Sequence, residues 1–222
     1  MNRSTKLIVL GAIGLAACTG SLFKSKAAPP TIYMLSAAAP TAASGAAAAA
    51  ETASAAAPAA EIPADLAILK PRVRIGLDAD RIAVLYPDRR LDYFADARWT
   101  GPLGDVLQDL AVQEFHSRAH LRTVSAEASV FASAYWLEIE VTDFQAEYAS
   151  AGGAPTVHVH FLARLGSSGE RRILGQFEAD TRQPAAENRL TSIVDAYARA
   201  ADGALENIIA HADETLAGSS EK

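Results

Sequence analysis

The chain has 222 residues, of which 26 are acidic and 20 are basic, so its formal net charge is −6 at pH 7. This negative charge argues against binding to nucleic acid through a broad basic surface. The chain has one cysteine, so no disulfide forms within it and core packing must stabilise the fold.

The first 17 residues have the pattern of a signal peptide. Arg3 and Lys6 precede Leu7–Ala17, an unbroken run of eleven small and apolar residues. Such a run rises about 16 Å as a helix, whereas a bilayer core needs about twenty apolar residues. We therefore expect a leader that is removed. Its removal takes away Arg3 and Lys6 and changes the formal charge from −6 to −8.

The single cysteine, Cys18, ends this run in the sequence Leu-Ala-Ala-Cys, which matches the bacterial lipobox. In that motif the thiol is acylated and the chain is cut just before the cysteine. An uncleaved membrane anchor and an ordinary signal peptide are the alternatives. We predict lipidation at Cys18, and several acyl chains make a stable tether because each buried methylene contributes about 0.8 kcal/mol.

Composition divides the rest of the chain into one domain and its flanks. We expect a tether over residues 18–30, a single domain over 31–216 and a disordered tail over 217–222. Within the domain, residues 37–60 contain 16 alanines in 24 positions, interrupted by Pro40, Gly45 and Pro58. Nothing large and apolar is available there for burial, so we expect residues 37–62 to form a flexible insertion.

Hydrophobic periodicity predicts strands and two helices in the domain. The strands are Thr31–Ser36, Leu66–Leu69, Arg72–Leu77, Arg81–Tyr86, Leu91–Phe94, Tyr135–Phe144, Thr156–Leu165 and Arg172–Ala179. One amphipathic helix begins at Pro102, and a longer one extends from near Pro184 to near Gly218. These elements predict an α+β fold, a two-layer sandwich in which both helices pack on one face of a mostly antiparallel sheet.

Two sets of polar residues are candidates for a metal site or a catalytic pair. His116 and His120 are four residues apart, and His158 and His160 share one predicted strand face. A zinc site needs three or four ligands from one place, so solvated histidines are the favoured interpretation. Glu138 and Glu140 likewise share one face, whereas glycosidase carboxylates oppose each other across a cleft.

We therefore predict no catalytic residue, no metal site and no cofactor. The sequence has no G-x-S-x-G motif and no P-loop, and lipidation would consume the only thiol. The heavy aromatic residues Trp99 and Trp136 are candidates for partner binding. Core packing is the alternative, and it is favoured for Trp99 because this residue directly precedes a predicted helix.

The order of these elements resembles a known family. After the lipobox come Tyr33-Met34-Leu35, a strand and hairpin, the step Arg98-Trp99-Thr100-Gly101-Pro102-Leu103, a strand that ends in Asp143-Phe144, and an alanine-rich C-terminal helix. This order resembles the ABC-type transport auxiliary lipoproteins. The longer alanine-rich insertion and the segment Leu77–Arg81 depart from the family pattern.

The resemblance implies a non-enzymatic component of an envelope system that transports phospholipid or a related hydrophobic substrate. Its partners would be an ABC permease, an ATPase and a mammalian-cell-entry (MCE) domain protein that bridges the periplasm, with assembly of several copies into a ring left open. Acyl chains at Cys18 would hold it in the membrane of a Gram-negative bacterium. Thr19, rather than aspartate, after the cysteine favours the inner leaflet of the outer membrane, facing the periplasm.

Two other functions remain open from the sequence. One is a structural envelope lipoprotein that binds peptidoglycan or helps to assemble outer-membrane proteins. The other is a hydrolase with a cryptic site, which would need a deep pocket lined by converging polar groups.

Overall fold

A computed structural model of the protein describes residues 29–36, 61–126, 133–150 and 152–220. Cys18, the signal peptide, most of the tether and insertion residues 37–60 lie outside the described residues. The described elements, in chain order, are β1 (Thr31–Tyr33), β2 (Ile62–Ile68), β3 (Arg72–Val73), β4 (Arg81–Leu85), β5 (Leu91–Trp99), α1 (Leu103–Arg118), β6 (Leu121–Ala126), β7 (Tyr135–Glu147), β8 (Thr156–Ser167), β9 (Arg172–Pro184) and α2 (Leu190–Ser220).

Strand β7 lies at the centre of one mixed sheet. On one side it pairs antiparallel with β8 along its whole length, and β9 continues the sheet antiparallel to β8. On the other side β2, β3 and β4 pair with it in turn, all parallel. β5 is antiparallel to β4, whereas β1 is parallel to β5 and β6 is parallel to β2. The fold is α+β as predicted, but the prediction of a mostly antiparallel sheet is wrong.

Several predicted boundaries also change. Residues Arg72–Leu77 form only the two-residue strand β3 and a turn, and β6 was not predicted at all. β2 begins at Ile62, inside the predicted insertion, and pairs there with Leu121. Strand β9 extends to Pro184, where a helix was predicted to begin. Helix α2 continues to Ser220, so Ala217–Ser220 is helical rather than a disordered tail.

Helix α1 follows the amphipathic pattern of its sequence. It begins after Pro102 and carries Asp105 in its first turn, near the positive end of the helix dipole. Its buried apolar residues are Leu103, Val106, Leu107, Leu110, Ala111 and Phe115. These side chains recur at helical spacing and join the single hydrophobic core.

Helix α2 contacts β8, β9 and helix α1. Its Tyr197 is fully buried, donates a hydrogen bond of 2.6 Å to the carbonyl oxygen of Ala83 and packs against Trp99 and Phe144. Burial raises the pKa of the Tyr197 hydroxyl far above its ordinary range. The placement of both helices on one face of the sheet stays a prediction.

A buried carboxylate lies between the two helices. Glu114 of α1 is 1 % exposed, and its carboxylate lies 2.7 Å from Nε of Arg118. Arg118 also pairs with Asp202 and Glu206 of α2. Burial raises the pKa of Glu114; Arg118 opposes this shift, whereas Asp202 and Glu206 add to it. Folding therefore raises the pH below which Glu114 is protonated.

We predict that Glu114→Gln raises the melting temperature at pH 7. The raised pKa means that protonated Glu114 contributes stability below its ordinary pKa of 4.5, and this contribution is lost as pH rises through the folded-state value. Glutamine is neutral throughout, so the advantage of the variant should shrink as pH falls toward 4.5. Thermal melts across this range test the prediction.

Glu206→Gln is the matched control, because Glu206 is 68 % exposed and lies 3.5 Å from the same arginine. Its melting temperature should stay close to that of the unmodified chain at each pH. A lower melting temperature for Glu114→Gln at pH 7 would contradict the prediction.

Candidate functional site

The polar face of the sheet is the side of β7, β8 and β9 that points away from the apolar core. Alternation along β7 and β8 creates it, because successive side chains of a strand point to opposite sides. The buried residues Leu137, Ile139, Val141, Val157, Val159 and Phe161 lie on the core side. Glu138 and Glu140 lie on the other side, as predicted.

His158 is buried on this face, at 7 % exposed, and so is Gln145 opposite it on β7, at 4 % exposed. Its Nδ1 lies 3.0 Å from Oε1 of Glu147, and its Nε2 lies 3.0 Å from Oδ1 of Asp180. Arg182 donates a further hydrogen bond of 2.8 Å to Glu147. Both ring nitrogens of His158 therefore lie within hydrogen-bond distance of a carboxylate.

His160 extends the network on the same face. Its Nε2 lies 2.9 Å from Oε1 of Glu178, and its Nδ1 lies 2.8 Å from the hydroxyl oxygen of Thr142. Its ring stacks on that of His158, with the centroids 6.4 Å apart. Both imidazoles are thus held by neighbouring side chains on the sheet, and the prediction that they are solvated is wrong for His158.

Hydrogen bonds lower the pKa values of Asp143 and Glu147, the two carboxylates at the centre of this network. Burial on its own raises the pKa of Asp143 and of Glu147. Hydrogen bonds from Gln145 to both carboxylates, together with the nearby His158, outweigh burial, so both pKa values are below their ordinary range. Arg182 adds to this effect at Glu147.

The histidines predicted as metal candidates lie in two separate places. His120 follows α1, where its Nδ1 lies 2.9 Å from Oδ2 of Asp213, and His116 is exposed in the last turn of α1. His158 and His160 lie on the polar face. Among the residues that the structure describes, no group of three or more His, Cys, Asp or Glu side chains is arranged to hold a metal ion.

Glu138 and Glu140 are both ion-paired. Arg72 lies 3.1 Å from Glu138, and Arg164 lies 3.7 Å from Glu138 and 3.5 Å from Glu140. A groove of about 440 Å³ beside them is lined by Glu140, Leu162, Ala163, Arg164, Gln176, Phe177 and Glu178. The two glutamates lie on one strand, so they do not face each other across a cleft as glycosidase carboxylates do.

The two predicted partner-binding tryptophans have different surroundings. Trp99 is 2 % exposed and packs edge-on against Phe144 and Tyr197, so its indole belongs to the core and presents no surface to a partner. Trp136 is half-buried at the start of β7, where its indole lies over Gly166 of β8. A partner-binding role for Trp136 stays a prediction.

Sequence reasoning missed the exposure of Ile75. Ile75 belongs to the segment Arg72–Leu77, which was predicted as a strand, but it is 98 % exposed and lies in a turn. Gly76 was the sequence signal for this turn, because a glycine inside a strand pattern often marks a bend. Its φ of 93° places it in the region that favours glycine.

The comparisons with known proteins define the class as a transport auxiliary lipoprotein. The family model described as "ABC-type transport auxiliary lipoprotein component" matches residues 33–209. The chain belongs to this family. No curated protein matches the chain. No helix within the described residues is both long and apolar enough to cross a membrane.

Two solved structures share the fold, and a third matches more weakly. Protein XCC0632 from Xanthomonas campestris is 20 % identical, with a TM-score of 0.69, and the match covers 86 % of this chain and all of that one. An uncharacterized protein is 15 % identical, with a TM-score of 0.59, over 83 % of this chain and 99 % of that one. The hypothetical protein CT253 from Chlamydia trachomatis is 12 % identical, with a TM-score of 0.48, over 69 % and 98 % of the two chains.

We predict that Glu147→Gln destabilises the domain by about 1–3 kcal/mol at pH 7, because His158 and Arg182 lose a charged acceptor. The lowered pKa means that ionised Glu147 contributes stability above 4.5, which is lost as pH falls through the folded-state value. The difference between the two chains should therefore disappear in acid. Denaturant melts at a series of pH values measure it.

Glu187→Gln serves as the control, since Glu187 is 61 % exposed and pairs with Arg189 at 3.4 Å. It should change stability little at any of these pH values. Equal effects of the two substitutions at pH 7 would be evidence against a stabilising role for the network.

A second substitution tests the packing of Trp136. A Cβ atom at Gly166 would lie 2.2 Å from the indole of Trp136, so Gly166→Ala should cost about 1–3 kcal/mol by overpacking. At Gly169 a Cβ meets nothing within 4 Å, and Gly169→Ala is the matched control. Denaturant melts should separate the two variants, and equal midpoints would show that Trp136 moves aside freely.

Proposed function

We propose that the protein is a non-catalytic, lipid-anchored auxiliary subunit of an MCE-type ABC transport system. Its substrate would be phospholipid or a related hydrophobic molecule that crosses the cell envelope. The observation that carries this proposal is the match of the transport auxiliary lipoprotein model to residues 33–209. That match spans β2 to β9, the last residue of β1 and most of α2.

The geometry of the polar face supports a role without catalysis. His158, His160, Glu138, Glu140 and Glu147 are each engaged by side chains of neighbouring strands. Such cross-strand pairs stabilise a sheet surface, whereas a catalytic acid or base must reach a bound substrate. The polar face therefore resembles a structural surface more than a reaction centre.

The anchor and location follow from the N-terminal sequence. Cys18 would carry the acyl chains, residues 18–30 would link it to β1, and Thr19 favours the outer membrane, facing the periplasm. From there the domain would dock the far end of an MCE bridge. Residues 31–216 would act as one unit. Residues 37–62 would form a flexible insertion, except at Ile62, where β2 begins.

We predict that Cys18→Ala abolishes labelling by radioactive palmitate and leaves an uncleaved precursor. The reason is that the thiol is the only site on this chain that a lipobox processing pathway would acylate. Thr19→Ser keeps the lipobox intact and should label and mature normally. Labelling of the Cys18→Ala chain would refute lipidation at this residue.

The transport partnership is tested by affinity capture of the full chain from detergent-solubilised membranes. Mass spectrometry should identify an ABC permease, an ATPase and an MCE-domain protein among the captured subunits. Recovery of peptidoglycan fragments or outer-membrane assembly factors in their place would favour the structural lipoprotein alternative. The Cys18→Ala chain provides a control without acyl chains.

A further inference from the structure

Ile75 is an exposed apolar side chain on a turn that the fold holds in place. It is 98 % exposed, yet the turn around it is well bonded. The backbone N–H of Leu77 donates to the carbonyl oxygen of Arg74 at 2.9 Å, and the Tyr93 hydroxyl donates to that of Gly76 at 2.7 Å. The guanidinium of Arg74 bonds to the next strand, at the carbonyl oxygen of Thr142. The exposure of Ile75 is therefore part of the folded structure.

The β4–β5 hairpin lies beside this turn. Leu91, which is 39 % exposed, approaches the Cβ position of Gly76 to 3.3 Å. The hairpin connection carries exposed Arg89 and Arg90, and the Arg90 guanidinium lies over the ring of Tyr86 at 4.6 Å. We name Ile75, Tyr86, Arg89, Arg90 and Leu91 together the hairpin end.

The chemistry of the hairpin end suits the surface of a phospholipid bilayer. Aromatic rings and arginines that cover apolar surface are typical of the membrane interface. Tyr86 also stacks on Tyr148, with the ring centroids 5.6 Å apart. The connection and its flanks hold two arginines and the two aspartates Asp88 and Asp92. This charge balance fits zwitterionic headgroups. The hairpin end therefore avoids the repulsion by anionic headgroups that the net negative charge of the whole chain would cause.

The direction of β1 brings the N-terminal tether to the same end of the sheet. β1 is parallel to β5, and Thr31 pairs with Ala97. The chain before Thr31 therefore enters from the side of Leu91, about 20 Å away along β5 at roughly 3.3 Å per residue. Thr31 follows Cys18 by thirteen positions, a length of chain that reaches at most about 45 Å. The tether from Cys18 is therefore long enough for the hairpin end to reach the bilayer, and it enters the domain from that end.

We propose that the hairpin end contacts the phospholipid surface to which the chain is tethered, with Ile75 and Leu91 inserted among the headgroups. This inference rests on the proposed lipidation of Cys18 for the position of the bilayer. The contact would fix the orientation of the domain, which a flexible tether alone leaves free.

The test places a tryptophan at Ile75 in the full acylated chain, reconstituted into vesicles with and without brominated phosphatidylcholine. Bromine quenches indole fluorescence on close approach. Ile173→Trp is the matched control, because Ile173 is an exposed apolar residue at 46 % and lies at the other end of the sheet, beside Gly166. Brominated lipid should reduce the added emission of Ile75→Trp and leave that of Ile173→Trp unchanged.

A second arm keeps the contact testable if Cys18 carries no acyl chain. In it a chain that begins at residue 18, with Cys18→Ala and either tryptophan, is held on nickel-chelating lipid by an N-terminal histidine tag. Mass spectrometry of the first arm reports acylation separately. Preferential quenching of Ile75→Trp in the tagged arm supports the contact whether or not the anchor is acylated. Equal or absent quenching of the two variants in both arms overturns it.

Discussion

The long antiparallel ladder between β7 and β8 is the constraint on which the rest of the structure depends. It extends from Tyr135 opposite Ser167 to Glu147 opposite Thr156. A bulge between Val141 and Asp143 shifts the alternation, so that Val141 and Phe144 both remain in the core. Without that extra residue, the second half of β7 would turn its apolar side chains toward the polar face. The bulge therefore keeps both the core and the network around His158 continuous.

The other edge of β7, opposite β8, pairs with three more strands. β2, β3 and β4 each pair with a short part of it, all in the parallel direction. Parallel neighbours need crossover connections. The crossover between the parallel strands β4 and β7 contains β5, α1 and β6. Helix α2 follows the last strand, β9. Tyr197 connects α2 to β4 through the carbonyl oxygen of Ala83. Helix and sheet thus share one core, with Trp99 and Phe144 at the centre of its aromatic cluster.

Hydrophobic periodicity in the sequence predicted the long strands and helices. It failed for features that depend on which strands pair with each other. The alternation of β7 and β8 and the helical stripe of α1 were visible because each element buries one side of itself. Strand direction was not visible, since the same alternation fits parallel and antiparallel neighbours, and β6 carries little apolar signal beyond Leu121 and Val124. The polar face was predicted as a wet surface, but cross-strand partners separated by 11 to 35 residues, such as Glu147 with His158 and Arg182, enclose it. Sequence spacing alone does not reveal such partners.

The two ends of β7 have different surfaces, and this difference bears on function. The Glu147 end carries the hairpin, with Leu85 paired opposite Glu147, whereas the Tyr135 end carries Trp136 over Gly166. These ends are about 40 Å apart, at roughly 3.3 Å per residue along the strand. A short tether raises the local concentration of the domain at the bilayer, so a weak apolar contact is enough to orient it. In the arrangement that we propose, the hairpin end lies at the membrane and the Trp136 end points away from the bilayer, toward the proposed partner that bridges the envelope.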